Sequence, residues 1–257
     1  EFIRNSARAD IRVDGRSTMK YRELEFERDV IEQANGSVRM RLGRTEVIVG
    51  VKCELGEPDA SSPNSGRINV LIKQVGAAIE RDIQMERMIE VSLCNAGKSM
   101  MEELCVVKGR LAWNIYVDAV VIEDDGNVLD CVSIAARIAL LNTPIPIVHV
   151  ISGDSDVVQI DLNRDDVQFM RFKSESLPIC VSLVKIDDSC FIADANRIEE
   201  QCGICTLTTA VTPEGKVCGI QKDGKGSFVL SNMSEMIIQA QMIGMKLYKE
   251  LQEMTDE

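Results

Sequence analysis

Apolar residues along this chain switch between two spacings, and the switches divide it into elements. Val47, Val49, Val51 and Cys53 alternate with Ile48, Gly50 and Lys52, the period of a strand covered on one or both faces. Related β patterns run through residues 24–27, 36–41, 67–73 and 113–122, and through 104–107, joined to the last by Lys108-Gly109-Arg110. Gly43-Arg44 reads as a turn, and residues 57–66, rich in Pro, Ser and Gly, as an exposed loop. Helical spacing takes over at 79–97 through Ile79, Ile83, Met85, Met88, Ile89, Val91, Leu93 and Cys94. A second helix is predicted over 129–141, stopped by Asn142 and the prolines Pro144 and Pro146. A strand at 148–151 closes a first β-rich unit.

The acidic, turn-rich segment 153–166 reads as a boundary, and the second unit begins near 167–172. Strands at 178–186 and 190–193 form a hairpin about Asp187-Asp188-Ser189. Strands at 205–211 and 216–221 form another about Thr212-Pro213-Glu214-Gly215, with Pro where a turn favours it. Asp223-Gly224-Lys225-Gly226 ends the strand. Ser231 or Asn232 is placed to cap a helix over 233–254, striped by Ile237, Ala240, Gly244, Leu247 and Leu251. Hairpins followed by a helix occur in both halves. The pattern predicts an α/β (α+β) fold of two pseudo-duplicated β-rich units, 19–152 and 153–257, each with packed helices, behind a polar arm at 1–18. The methionines of the 79–97 helix read as a pliable core or a subunit contact rather than a cofactor box; the Met85, Met88 and Ile89 face, and part of the C-terminal stripe, are expected to leave apolar surface for neighbouring subunits.

Composition narrows the function. The 257 residues are 45% hydrophobic, without a run of 18 or so apolar residues, so no transmembrane helix is expected. Arg4, Asn5, Arg8 and Asp10 break any leader-like apolar core, which suggests a cytosolic or nuclear protein. Of nine cysteines, Cys53, Cys94, Cys105, Cys131, Cys180 and Cys190 sit in apolar runs and read as buried free thiols. Cys202-Gly203-Ile204-Cys205 lacks the second ligand pair of a zinc site, with only Cys190 and Cys218 loosely available. It also precedes a strand rather than opening a helix, as a redox pair would. Neither a metal nor a cofactor is expected. The net charge of −12 opposes stand-alone nucleic-acid binding, which needs clustered Lys and Arg, and 4% aromatics offer few stacking platforms. His149, the lone histidine, lies in an apolar strand and reads as structural. Gly224-Lys225-Gly226 lacks the spacing of a phosphate loop and reads as a turn.

The stretch from Asp124 to Pro146, Asp-Asp-Gly-Asn-Val-Leu-Asp-Cys-Val-Ser running into an apolar helix, together with Asp10-Ile11-Arg12-Val13-Asp14-Gly15-Arg16, closely resembles the ribonuclease PH family. Leu42–Lys52, Pro63-Asn64-Ser65-Gly66, Leu104-Cys105-Val106 and Trp113–Asp118 carry the same likeness, more narrowly to the inactive ring subunits of the RNA exosome. The resemblance covers 10 to about 251 and implies the ribonuclease PH fold. In active members the turn carries Gly-Gly-Thr/Ser-Arg, whose amides and guanidinium hold phosphate. Here Asn127, Val128 and Leu129 follow Gly126, and the acid Asp130 comes next. Phosphorolysis needs a phosphate cradle, guanidinium charge on the phosphoryl oxygens, and a carboxylate that organises protons or a metal. Only the last is visible, in Asp194, Glu199 and Glu200, where the resemblance places the family's acidic cluster. Without a cation such a cluster repels substrate, and Glu199 and Glu200 by themselves read as a solvated face.

The resemblance therefore implies a subunit without catalytic residues, which completes a ring and lines its RNA channel during 3′-to-5′ RNA processing and decay. Its expected partners are other ribonuclease PH-like exosome ring subunits, RNA-binding cap subunits, a hydrolytic exosome nuclease and RNA in the assembled channel; no membrane partner is expected. The expected compartments are nucleus, nucleolus and cytoplasm. Lys108 and Arg110 are the most defensible RNA-facing residues, with Lys98 and Arg44 weaker; the plain alternative is solvent-exposed turn charges. The competing readings are an active phosphate-dependent exoribonuclease contributing Asp194 to a composite site, and a metabolite-binding α/β enzyme, which nothing specific supports.

Overall fold

The structure is a computed structural model, describing residues 1–76, 79–151, 159–161, 168–187 and 190–256. Its first unit is a six-stranded sheet of β1 (Leu24–Arg28), β2 (Gly36–Leu42), β3 (Thr45–Gly56), β4 (Arg67–Gln74), β5 (Cys105–Val107) and β6 (Leu111–Glu123). The order is β1-β2-β3-β6-β4, with β5 also on β6. Only β4 and β6 run parallel, and α2 (Ile79–Ala96) and α3 (Lys98–Glu103) make the crossover between them. Alternation decides the facing: Val47, Val49 and Val51 are fully buried, while Ile48 and Gly50 between them are half-buried and Lys52 is exposed.

Beneath the sheet lies α4 (Val128–Asn142), buried from Val128 to Leu140 except for half-buried Leu129. A helix apolar all round belongs between two layers, and α4 packs on β2 and β3 from one side and on the second sheet from the other. Close approach to β2 depends on Gly36, where a Cβ would stand 2.4 Å from Thr143 Oγ1 and 2.6 Å from the Ala139 carbonyl. Small pairings follow, β7 (Ile145–Pro146) with β10 (Phe169–Met170) and β8 (His149–Ile151) with β9 (Gln159–Asp161). The second sheet comprises β11 (Ile179–Asp187), β12 (Cys190–Ala193), β13 (Cys205–Val211) and β14 (Val217–Asp223), in the order β12-β11-β13-β14. The helix α5 (Arg197–Cys202) links β12 to β13, and α6 (Leu230–Asp256) covers β11 and β13. One continuous apolar cluster joins the two units through α4.

Most expected strands and both expected helices of the first unit occur, generally a residue or two longer. Several expectations need correction. The segment 1–18 holds a helix, α1 (Phe2–Arg8), whose Ala7 is buried with Val184, Ile186 and Ile192; seven residues are too few for a periodic signal. The short helices α3 and α5 escaped notice for the same reason. The C-terminal helix begins at Leu230, so Ser231 and Asn232 lie in its first turn and do not cap it. Met85, Met88 and Ile89 are buried within the chain's own core, because that side of α2 faces β4 and β14. The buried part of the C-terminal stripe likewise serves this chain, Ala240, Leu247 and Leu251 packing inward. Exposed apolar positions include Ile79, Ile83 and Val91 on α2, Leu230, Ile238, Met242, Met245 and Met254 on α6, and Leu71, Val120 and Ile122 on the first sheet.

Three of the supposed buried thiols are also corrected: Cys94 is exposed, and Cys53 and Cys105 are only half-buried; Cys202 is exposed as well. Cys202 ends α5 while Cys205 is buried at the start of β13. Among the described residues no helix is long and apolar enough to cross a membrane, and no cluster of three or more metal-ligating side chains occurs. Most of the boundary segment 153–166, the start of the second unit at Val167, the turn residues Asp188 and Ser189, and the side chain of His149 lie outside the described residues.

Two acidic devices hold the architecture. Glu90 and Glu86, a turn apart on α2, accept the backbone N–H groups of Val70 and Ile72 at 2.8 Å each. They satisfy donors along β4, the strand at the end of the sheet, and so discourage pairing with another chain. Asp130, wholly buried in the first turn of α4, accepts the Tyr21 hydroxyl (2.6 Å), the Ser182 amide (2.9 Å) and the Ser182 hydroxyl (2.7 Å). It thereby pins α4 to β11. Burial pushes its pKa up to about 6, against the pull of those donors.

Asp130→Ala should destabilise the fold by about 2–4 kcal/mol, since it leaves the Tyr21 hydroxyl and the Ser182 amide buried without an acceptor. The folded pKa lies above the unfolded one, so the contribution of Asp130 is full below about pH 4 and declines as pH rises through 6. Urea unfolding at pH 5 and pH 7 should therefore show the larger difference between wild type and variant at pH 5.

Candidate active site

The turn between β6 and α4 is pressed against the loop from β12 to α5. A Cβ on Gly126 would stand 2.6 Å from Arg197 N and 2.7 Å from the Ala195 carbonyl, and its φ is +90°, so only glycine fits. Asn127 follows at φ +56°, a left-handed conformation that asparagine tolerates better than most residues. Three consecutive amides of this turn are met by the chain's own oxygens. Asp125 N–H donates to Thr45 Oγ1 (3.2 Å), Gly126 N–H to Asp124 Oδ1 (2.9 Å), and Asn127 N–H to Glu200 Oε1 (2.7 Å). The side chains of Val128 and Leu129 add only hydrocarbon.

Beside the turn, Asp194 is fully buried at φ +45°. Its Oδ2 accepts Arg22 N–H (2.7 Å), Arg22 Nε (2.9 Å) and Arg16 Nη1 (2.9 Å), and its Oδ1 accepts Arg22 Nη2 and Asn127 Nδ2, both at 2.8 Å. Burial alone would raise its pKa, but the Arg22 guanidinium and these hydrogen bonds hold it below the usual carboxylate range. Arg22 also donates to the Asp125 and Gly126 carbonyls at 3.1 and 3.0 Å. One residue thus joins the N-terminal segment, the turn and the second sheet.

Glu199 corrects the expectation of a solvated face. It is buried and forms a two-pronged ion pair with Arg12, Nε to Oε1 at 2.9 Å and Nη2 to Oε2. Arg12 also donates to the Ala193 carbonyl at 2.9 Å and the Asp194 carbonyl at 2.8 Å. The same Glu199 completes a capping box on α5: Asn196 accepts the Ile198 and Glu199 amides, and Glu199 accepts the Asn196 amide at 2.9 Å. The acidic cluster is therefore not without cations, as the sequence suggested. Arg12, Arg16 and Arg22, from what reads as a polar arm and its edge, fold back to neutralise it. Arg12 and Arg16 stand inside the Asp10–Arg16 motif; that was the available signal, and no spacing rule connects it to residues 180 positions away.

A cleft of about 240 Å³ opens at the N-terminal end of α4, lined by Asn127, Val128, Ser182, Thr208, Glu200 and Arg81 among others. Asp194 is not among its lining residues. Burial raises the pKa of Glu200, and Arg81 stands 3.7 Å from it and 3.8 Å from Asp124. The arrangement offers hydroxyls and carboxylates to the cleft, with one cation already facing two acids. It is poorly made for holding phosphate.

The basic residues named from sequence do not join this site as a group. Lys98 opens α3, and Lys108 and Arg110 flank Gly109 in the turn from β5 to β6, whose amide donates to the Pro63 carbonyl at 2.7 Å; all three are exposed. Arg44, also exposed, lies in the turn from β2 to β3, beside the far end of β6. The 13 residues of β6 separate the two turns by roughly 40 Å along the strand. Lys225 is exposed just past β14, beside Gly224 at φ +85°, as a turn should be.

Comparison with known proteins gives a consistent result. Models of the 3′ exoribonuclease family match in order, domain 1 over residues 20–146 and domain 2 over 176–242. The chain is 32% identical to exosome complex component Rrp42 of Methanothermobacter thermautotrophicus, across 84% of this chain and 80% of that protein. It is 33% identical to the component of the same name in Thermococcus onnurineus, across 86% and 82%. The narrower likeness visible in the sequence, to ribosomal RNA-processing protein 42, agrees with those names. Among solved structures, the Archaeoglobus fulgidus exosome with RNA bound to the active site superposes with a TM-score of 0.83 at 27% identity, across 97% of this chain and 96% of that one.

Arg12→Met should cost about 3–5 kcal/mol in urea unfolding, because it strands the Glu199 charge in the interior. Arg12→Met with Glu199→Leu should be less destabilised than Arg12→Met alone, despite the lost cap. Asp194 adds an acid limb: its depressed pKa supplies stability present above about pH 4 and lost as pH falls through the folded value.

Proposed function

The chain belongs to the 3′ exoribonuclease family, and from that premise we propose that it is a catalytically inactive structural subunit of the RNA exosome core ring. It completes the ring with other ribonuclease PH-like subunits, beneath RNA-binding caps and ahead of a hydrolytic nuclease, and lines part of the RNA channel. Its work lies in the nucleus, nucleolus and cytoplasm. The observation that carries the inactive reading is the turn before α4, whose Asp125, Gly126 and Asn127 amides are satisfied internally while Arg16 and Arg22 serve Asp194. A phosphoryl group there would find neither a free cradle nor a free guanidinium from these residues, a loss worth orders of magnitude in rate. Asp194, buried and ringed by donors, is unsuited to organising protons in the cleft.

The exposed apolar positions of α2, α6 and the first sheet support a role that needs neighbours. For RNA contact, Lys108 and Arg110 stand at the turn at one end of β6, Lys98 opens α3, and Arg44 stands at the turn beside the other end of β6. A single phosphate would therefore not meet Arg44 together with Lys108 and Arg110.

Purified protein given 3′-tailed RNA and inorganic phosphate should release no nucleoside diphosphate above a blank; release that disappears in Asp194→Ala would sink the inactive reading. In the assembled complex, Lys108→Ala with Arg110→Ala should lower RNA affinity modestly, without changing sequence preference, and reduce the salt slope by roughly one for each phosphate contact removed. Failure of that double variant to assemble, with RNA affinity per complex unchanged, would make the turn an interface element instead.

A further inference from the structure

The first sheet ends in β4 on one side and β1 on the other, and the chain treats the two edges differently. At β4 the outward Val70 and Ile72 N–H groups are met by Glu90 and Glu86. At β1 the outward groups are left open. The Asp29 amide donates to the Ser37 carbonyl at 2.9 Å, and the Gly43 amide to the Glu23 carbonyl at 3.0 Å. The pairs Glu25–Arg41 and Glu27–Arg39 lie between these in the same register. Hydrogen-bonded pairs alternate along an antiparallel ladder, so residues 23, 25, 27 and 29 bond β2. The N–H and C=O groups of Leu24, Phe26 and Arg28 therefore point out of the sheet, and among the described residues no backbone group meets them.

The two faces beside this edge carry different chemistry. Leu24 and Phe26 turn to the core. Where β1 begins, a groove of about 670 Å³ runs between the segment 16–24 and α6, lined by Met19, Leu24, Ile243, Leu247 and Met254 among others. Glu25 and Glu27 are exposed on the opposite face of the strand. Carboxylates outnumber available cations here. Lys246 faces Glu250 at 3.6 Å, Arg16 and Arg22 serve Asp194, and Arg28 lies over the Phe26 ring. Of the cations lining the groove, that leaves Lys20 against Glu23 and Glu253, with Glu25 and Glu27 beside them on the strand.

We propose that the open edge of β1 docks an extended segment of a partner protein, which joins the sheet as a further strand and alternates basic with apolar residues. Pairing to Leu24, Phe26 and Arg28 supplies the main-chain hydrogen bonds of strand addition. Apolar side chains of the segment lie beside Leu24 and Phe26 toward the groove, and basic ones lie beside Glu25 and Glu27. A second copy of this chain is disfavoured by the same charges. Two β1 strands paired antiparallel about Phe26 would set Glu25 opposite Glu27 twice, and like charges directly opposite destabilise a sheet. Charge on an edge strand deters indiscriminate pairing, and charge of one sign selects its opposite. The inference deepens the ring-subunit reading by giving the chemistry of one contact, and rests on it for the existence of a partner.

The probe is a labelled nonapeptide alternating Lys and Val, titrated into the full chain and followed by fluorescence anisotropy, with thermal unfolding as a check of the variants. It should bind saturably, and the same peptide with Glu for Lys should bind roughly tenfold more weakly. Glu25→Lys with Glu27→Lys should reverse that preference. N-methylation of every valine amide, or of every lysine amide, should act unequally. One set should lose roughly tenfold in affinity and the other little, because a paired strand turns alternate amides to its neighbour. Phe26→Pro removes an outward amide and leaves the bonds to β2, so it should weaken the peptide by a similar factor. Should that variant fail to fold, the methylated peptides decide without altering the protein. Equal effects of the two methylated sets, or no saturable binding, overturn the inference. Self-association of the wild-type chain that Phe26→Pro abolishes would assign the edge to a second copy and overturn it as well. A native mass from cells without ring partners overturns the ring-subunit reading instead, whatever the peptides do.

Discussion

A carboxylate buried as completely as Asp194 has to be met by donors on every side, and the chain meets it with groups from distant segments. Arg16 and Arg22 come from the segment before β1, Asn127 from the turn before α4, and Asp194 itself from the end of β12. An ion pair removed from water contributes only when its geometry is good and its remaining lone pairs are filled; here both oxygens of Asp194 accept more than one donor. The positive φ at Asp194 and Asn127 is the backbone cost of aiming these groups at one another. Arg12 and Glu199 repeat the arrangement one step away. The N-terminal segment is held to the second unit largely through these pairs, with Ala7 adding a small apolar contact.

The same network decides what the neighbouring cleft can do. A guanidinium committed to a buried carboxylate cannot also neutralise a transferring phosphoryl group without stranding its partner. An amide already donating to Glu200 or Asp124 is no longer an oxyanion donor. Structural stability and phosphate chemistry compete for one set of donors, and the chain's own acids hold them.

α4 supplies the second constraint. Because it is buried on nearly every side, it serves both sheets at once, and Asp130 is the polar point at which it is keyed to β11. Both units share this helix, which is why the turn that precedes it brings together residues from each. The outer surfaces are different in kind: apolar side chains such as Ile238, Met242 and Val120 face solvent, while the glutamates of α2 guard the edge of β4.

Much of this was legible in the residues alone. Alternation in 47–54 and 113–122, and the continuous apolar run of α4, determine strand and helix locally, since period and burial follow from backbone geometry. The turn at Gly126, with Asn127, Val128 and Leu129 after it, showed its departure from the Gly-Gly-Thr/Ser-Arg that the family resemblance implies, because residue identity is readable without coordinates. The tertiary structure decided what depends on pairing across the chain. It took Glu199 out of solvent and gave it Arg12, turned Glu200 toward Asn127, and buried Met85, Met88 and Ile89 against this chain's own sheets. It also set Arg44 far from Lys108 and Arg110. A charge has no period that reveals its partner, and a helix face has no mark that says whether its own chain or another will cover it; only the folded chain brings residues 12 and 199 within one hydrogen bond.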